Sequence, residues 1–313
     1  MNNRHLNSKT KQSGFTMVEL MVALVLGLLL TAAVLQTFIS LKKTYEFQSE
    51  FSRIQENGRF AIEFLSRDIR NADFWGCNGT GLGSIQNHLN STSSASFSFA
   101  QGVDGTNGAA GGTTALDQPD TLILRSAGDF GASVVDVPAT TSASLKVSDG
   151  SGLEEEQIVL VSDCSHGEIF QITNDPGVGG TVNFDNVVHN TGGTASPGNA
   201  TKIFQKIYGT DAQIFSAKHV SYTVATGASG ENALLRNGDE IVEGIENFQV
   251  LFGEDTDGDD SPNYYVPANQ VSDMDDVVSI QVFLLIRSLR DNLTDTPQGI
   301  AYNGATLIPT DRR

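Results

Sequence analysis

The sequence predicts an α+β protein in which a long N-terminal helix packs on an antiparallel β-sheet head. Three observations predict it. An apolar run near the start passes, without a proline, into an amphipathic helical pattern that lasts from Phe15 to Asn71. The later chain holds one short, branched-chain-rich segment after another with no helical pattern between them, which argues for antiparallel sheets. The last long segment, DVVSIQVFLLIRS, alternates so that Val278, Ile280, Val282, Leu284 and Ile286 share one face. At 313 residues the chain can bury a sizeable core beyond this helix, expected as one elaborated head.

From Leu20 to Leu35 only Gly27 and Thr31 interrupt the apolar residues. The run from Phe15 to Leu35 suffices to cross a bilayer core of roughly 30 Å. It carries one acid, Glu19, and a carboxylate at membrane depth needs a partner or a function. A basic, polar leader, MNNRHLNSKTKQSG, precedes it. A secretory signal places its small-residue cleavage site after the apolar core. Here the small residue, Gly14, lies before it. A cut between Gly14 and Phe15 removes the leader and keeps the helix. The new α-amine of Phe15 then lies one turn from Glu19, where the two can neutralise each other within one chain or between neighbours. The alternative is a signal anchor with a tolerated acid near the lipid surface.

Beyond Leu41, Phe47, Phe51, Ile54, Gly58, Ala61, Leu65 and Ile69 recur at three- or four-residue steps among charged residues. The chain therefore reads as a leader over 1–14, a membrane half of the helix over 15–41 and an amphipathic half over 42–76. The whole helix spans roughly 80–90 Å. Phe74 and the single Trp, Trp75, are expected to pack where helix meets head. Residues 77–119, rich in Gly and Ser, read as loop, and 120–313 as the β-rich head. Strands are expected at DTLILRS, EQIVLVSD, EIFQIT, TVNFDNVV, TKIFQKIY, AQIFSAKHVSYTVAT, NFQVLF and the segment from Asp276.

The formal net charge is −18, and loss of Arg4, Lys9 and Lys11 with the leader takes it to −21. Such a surface argues against nucleic acid as a partner of the head and fits an exported domain. Lys42 and Lys43 follow the apolar run, so charge alone does not set the orientation. The two cysteines, Cys77 and Cys164, default in an exported domain to one disulfide, worth on the order of 4 kcal/mol by chain entropy. Two separate buried thiols are the alternative.

The best candidate site in the head is Asp255, Asp257 and Asp259, acids at alternate positions of a turn, as in the first half of a calcium-binding EF-hand loop. The match is partial. The sixth position is Asp260 instead of Gly, the twelfth is Val266 instead of Glu, and Asn263, Asp273, Asp275 and Asp276 are alternative ligands. A solvated acidic turn is the plainer reading. His5, His88, His166, His189 and His219 form no metal-binding spacing. In Asp163-Cys164-Ser165-His166 adjacent residues of a strand would face opposite ways and make no triad. The GTGLGS run at Gly79–Ser84 follows no strand and has no Lys, so it is no phosphate loop. Nothing here argues for catalysis or for a required cofactor; Ca²⁺ is the one ion to consider.

GFTMVELMVAL resembles the class III signal of type IV pilins and type II secretion pseudopilins. The resemblance implies prepilin peptidase cleavage after Gly14, N-methylation of Phe15, and pairing of Glu19 with the terminal amine of a neighbouring subunit during assembly. RIQENGRFAIEFLSRDIRNADFWGC is similar to the helix end and first cysteine of PilW-type minor pilins, and VSDCSHGEIFQIT to their second-cysteine strand. FGEDTDGDDSPNYY with DDVVSIQVFLLIRS is similar to their C-terminal segment. These blocks imply a type IV pilin-like fold and a minor pilin, held in the inner membrane as a precursor with its head in the periplasm. Its implied partners are other minor pilins, the major pilin, the prepilin peptidase and the inner-membrane assembly platform. The implied role is priming or capping a pilus at its tip, in support of twitching motility and adhesion. A type II secretion pseudopilin of the J kind, and a membrane-anchored adhesin that never joins a filament, remain the alternatives.

Overall fold

The computed structural model describes residues 14–76, 85–90, 94, 96–99, 101–109, 117–149, 151–177, 184–192, 196–294, 296, 297 and 299–307. One helix, α1 (Met17–Asn71), precedes the strands β1 (Ile85–Asn87), β2 (Val103–Thr106), β3 (Thr121–Ser133), β4 (Leu145–Ser148), β5 (Ile158–Ser162), β6 (Gly167–Gln171), β7 (Phe184–Val187) and β8 (Gln213–Thr226). Then come β9 (Asn232–Arg236), β10 (Asp239–Glu243), β11 (Ile245–Glu254), β12 (Tyr264–Val266), β13 (Val277–Ile286), β14 (Ile300–Tyr302) and β15 (Ala305–Leu307). The chain divides into two compact units, Met1–Ser52 and Arg53–Arg313.

The first unit holds the apolar part of α1, which is long and apolar enough to cross a membrane. Leu24, Leu28, Leu29 and Leu35 are exposed around it. Thr31 and Thr37 turn their hydroxyls back onto the Gly27 and Ala33 carbonyls at 2.8 and 3.0 Å. These two donors are thus satisfied without water, as a lipid-facing helix requires. Phe47 and Phe51 stack on each other at 6.2 Å and are about half exposed.

In the second unit the stripe continues as expected. Ala61 and Leu65 are buried against Leu122 and Leu124 of β3, Tyr222 of β8, Leu234 of β9 and Phe248, Val250 and Phe252 of β11. At Gly58 a Cβ would stand 2.9 Å from Ile286 Cδ1, so the missing side chain lets β13 close onto the helix. The main sheet has eight strands in the order β1-β6-β5-β8-β3-β2, with the β9–β10 hairpin joined to β8 through β9. Its pairings are antiparallel except β1 with β6. A second sheet runs β12-β11-β13, and β4–β7 and β14–β15 are two-stranded ribbons. β11 is buried on both faces. Its Asn247 and Gln249, opposite the apolar set, are satisfied by the Asp117 and Gln118 carbonyls at 2.7 and 2.9 Å.

Three expectations need correction. TKIFQKIY is irregular, because Phe204 and Tyr208 go inward while Ile203 and Ile207 stay exposed, a spacing of four instead of the alternation a strand needs. The stretch 77–119 contains β1 and β2, which extend the main sheet. Trp75 is fully buried, but Phe74 is 51% exposed.

Candidate functional site

The start of α1 is built by Thr16. The Glu19 N–H donates to Thr16 Oγ1 at 3.3 Å, and the Leu20 N–H donates to the Thr16 carbonyl at 3.1 Å. Thr16 is therefore the N-cap and Glu19 the third helical residue, the spacing of a capping box. That T-x-x-E signal was present in the sequence beside the glutamate it positions. The Glu19 carboxylate makes no hydrogen bond or ion pair among the described residues. Its charge lies favourably in the first turn of the helix dipole and is otherwise unmatched. Gly14 and Phe15 precede the cap, and Phe15 is 83% exposed.

At the far end the helix is clamped to the head by polar pairs. Asp68 accepts from Arg236 Nε at 2.7 Å and from the Tyr222 hydroxyl at 2.6 Å. Burial pushes the Asp68 carboxyl up, but these two donors and Arg67 outweigh it and hold it below the ordinary range. About three to four turns earlier, Arg53 pairs with Glu243, and Asn57 Nδ2 donates to the Glu243 carbonyl at 2.9 Å. Just after the helix, the Trp75 indole N–H donates to Asp73 Oδ1 at 2.6 Å.

The acidic turn follows β11. Asp255, Asp257 and Asp259 each bring a carboxylate oxygen within 4.8 Å of the others. Asp255 is buried and Asp257 and Asp259 are exposed. Asp255 accepts backbone N–H groups from Asp257, Gly258, Asp259 and Asp260 at 2.8 to 3.4 Å. Burial raises its carboxyl, and these donors outweigh it and lower it. Asp260 takes the left-handed φ of 63° at the position where an EF-hand loop has Gly. Asn263 instead braces the turn, accepting from the Thr256 N–H and hydroxyl at 2.7 and 2.9 Å. Asp273 caps a single-turn helix by accepting from the Asp275 N–H at 3.0 Å.

Around Cys164 the chain is a turn, not a strand, and Cys164 has a φ of 68°. Cys164 holds no free thiol; Cys77 lies outside the described residues. The strand argument against a triad thus gives way to a geometric one. The Ser165 hydroxyl donates to Asp163 at 2.8 Å and stands 3.1 Å from His166 Nδ1, so serine, not histidine, holds the middle place. Asp163 also pairs with Lys206 and accepts the Ser165 and His166 N–H groups. Burial raises its carboxyl, but Lys206, Ser165 and His166 together hold it at about 2. A depressed carboxyl stabilises the fold fully above its unfolded pKa of about 3.8, and this is lost as pH falls through about 2. Asp163→Asn is therefore expected to flatten the acid limb of thermal stability between about pH 4 and pH 2. An unchanged limb contradicts the assignment. Sequence reasoning missed a further buried pair, His88 with Glu168, eighty residues apart; Glu168 also accepts the Gln205 N–H at 2.7 Å.

Two family models match this chain. Residues 9–35 match the prokaryotic N-terminal methylation motif. Residues 220–313 match type IV pilus-assembly protein W, PilW. Over these two segments the chain is similar to type IV pilins of the PilW family. No curated protein and no solved structure matches it. The first match contains Gly14, Phe15, the Thr16 cap and Glu19, and the apolar helix it opens anchors the precursor in the membrane. The second contains Tyr222, Arg236 and Glu243, the head's side of the clamp on α1, together with the acidic turn and β13. Cys164 and the Asp163 turn lie outside both.

Proposed function

We infer that this chain is a PilW-family minor pilin that primes or caps the pilus at its tip, supporting twitching motility and adhesion through assembly, not turnover. The observation that carries this reading is the unpartnered Glu19 carboxylate in the first turn of a helix whose N-terminal half is exposed and apolar on every side. Such a group calls for a cation from outside the helix, and the amine of a processed Phe15 on a neighbouring subunit supplies one. In this reading the prepilin peptidase cuts between Gly14 and Phe15 and Phe15 is N-methylated. The apolar helix then leaves the inner membrane among those of other minor pilins and the major pilin, driven by the assembly platform.

A clean deletion, complemented by the wild-type chain or by Glu19→Ala, tests it. Loss of surface pili with intact protein secretion is expected, and Glu19→Ala is expected to be processed yet to enter pili poorly. Loss of secretion with pili intact moves the chain to the pseudopilins of type II secretion, and an uncut Met1 terminus in a surface-exposed protein favours the anchored adhesin.

Two stiffening elements belong to the same proposal. A Cys77–Cys164 disulfide closes a long loop of the head, and peptide mapping without reductant should find the two joined. Ca²⁺ at Asp255, Asp257 and Asp259 should raise the melting temperature at millimolar concentration; no shift leaves a turn held by its own backbone N–H groups.

A further inference from the structure

β13 is the outer strand of the β12-β11-β13 sheet and, among the described residues, pairs only with β11. Its ten residues, VVSIQVFLLI, contain no charge and no proline. Strand edges left in water are normally blunted by charge, proline or brevity. This one offers a row of backbone donors and acceptors with none of those guards, except that the Phe283 carbonyl accepts from the Tyr302 hydroxyl at 3.3 Å. Beside it runs an apolar groove of about 410 Å³, between Ile62, Leu65 and Ile69 of α1 and Ile280, Val282 and Leu284 of β13. Ile62 is 58% exposed there. A strand added to the edge of β13 sends every second side chain into this groove. Arg70 lines the groove, is exposed, and has no hydrogen-bond or ion-pair partner among the described residues. The other arginines on this side of the head, Arg53, Arg236 and Arg287, are all paired.

We propose that the β13 edge and its groove receive an extended segment of another pilus subunit, one with alternating apolar residues and a carboxylate that meets Arg70. A second copy of this chain fits less well. Its own β13 brings no acid to Arg70, and the copy adds a further net −18 to a chain that already carries it. The inference rests on the pilin reading for the identity of the partner.

The test uses the full-length chain in its own membrane, with a photo-crosslinking amino acid at Ile62 or at the exposed edge residue Gln281. Irradiation is expected to give an adduct with a different pilin, mapped by mass spectrometry to an extended, acid-bearing segment. Arg70→Glu should lower its yield about tenfold or more, and Arg70→Lys should largely restore it. Val278→Lys, a charge on the edge, should lower it as well, with the melting temperature of each variant unchanged. An adduct with a second copy of the chain overturns the proposal. So does the lack of any adduct in a strain whose purified pili contain the protein, an outcome that leaves the pilin reading standing. Absence of the wild-type chain from pili counts against that reading and, with it, against this partner.

Discussion

Gly14→Val is expected to leave the chain at full length, with its leader attached, and to abolish assembly as completely as deletion does. Among the described residues no atom beyond its chain neighbours lies within 4 Å of the place a Gly14 Cβ would occupy, so the substitution meets no packed group of the fold. Gly14 also precedes the Thr16 cap, so the helix begins where it did. Any loss therefore belongs to recognition by the processing enzyme and not to folding. Intact mass and N-terminal sequence decide it: a precursor beginning at Met1 is the expected product. A mature chain beginning at Phe15 in the variant contradicts the assignment of the cut.

Trp75→Ala is expected to cost about 3–5 kcal/mol of head stability and to lower the melting temperature of the full-length protein by about 10 °C. The indole is fully buried in a cluster with Leu89, Phe99, Leu160, Ile169 and Phe215, and meets Phe99 edge-on at 6.3 Å. Its N–H also serves Asp73, whose carboxyl is raised by burial and held back by that one donor. Removal leaves both a cavity and an acid without its partner. Asp73 has little room to escape, because a Cβ on Gly102 would stand only 2.3 Å from its side chain. The backbone here is stitched to β3 by Asp73 N–H to the Arg125 carbonyl and Ala127 N–H to the Phe74 carbonyl, so the loss should spread to the sheet. Trp75→Phe, which keeps most of the volume, should lose less; equal losses would mean that the hydrogen bond dominates.

What the sequence made legible follows the range over which each signal acts. α1 and β13 were plain, because periodicity is a local property and both are long. The cap at Thr16 and the β9–β10 hairpin had local signals that went unread. The hairpin turns at Asn237-Gly238, with φ of 54° and 88°, the dipeptide that suits such a turn. TKIFQKIY misled because its apolar residues suit a strand, whereas the segment wraps a buried cluster. Phe204 stacks on His189 at 4.0 Å, and Gln205 bonds to Glu168. The clamp of Asp68 on Tyr222 and Arg236 spans more than 150 residues, and no pattern in one sequence pairs such partners.

The cap at Thr16 has a consequence for maturation. Among the described residues, the groups that fix the first turn of α1 lie on the mature side of the proposed cut: the Thr16 hydroxyl, the Thr16 carbonyl, and the amides of Glu19 and Leu20. Removal of the leader leaves these hydrogen bonds in place. It takes away fourteen residues with Arg4, Lys9 and Lys11 and frees the Phe15 amine, while the capped helix keeps its register, so precursor and product present the same shaft and differ in what lies ahead of Thr16. A quality check made by the assembly machinery on processed subunits then reads the segment ahead of Thr16, the leader or the freed Phe15 amine, and not the shaft.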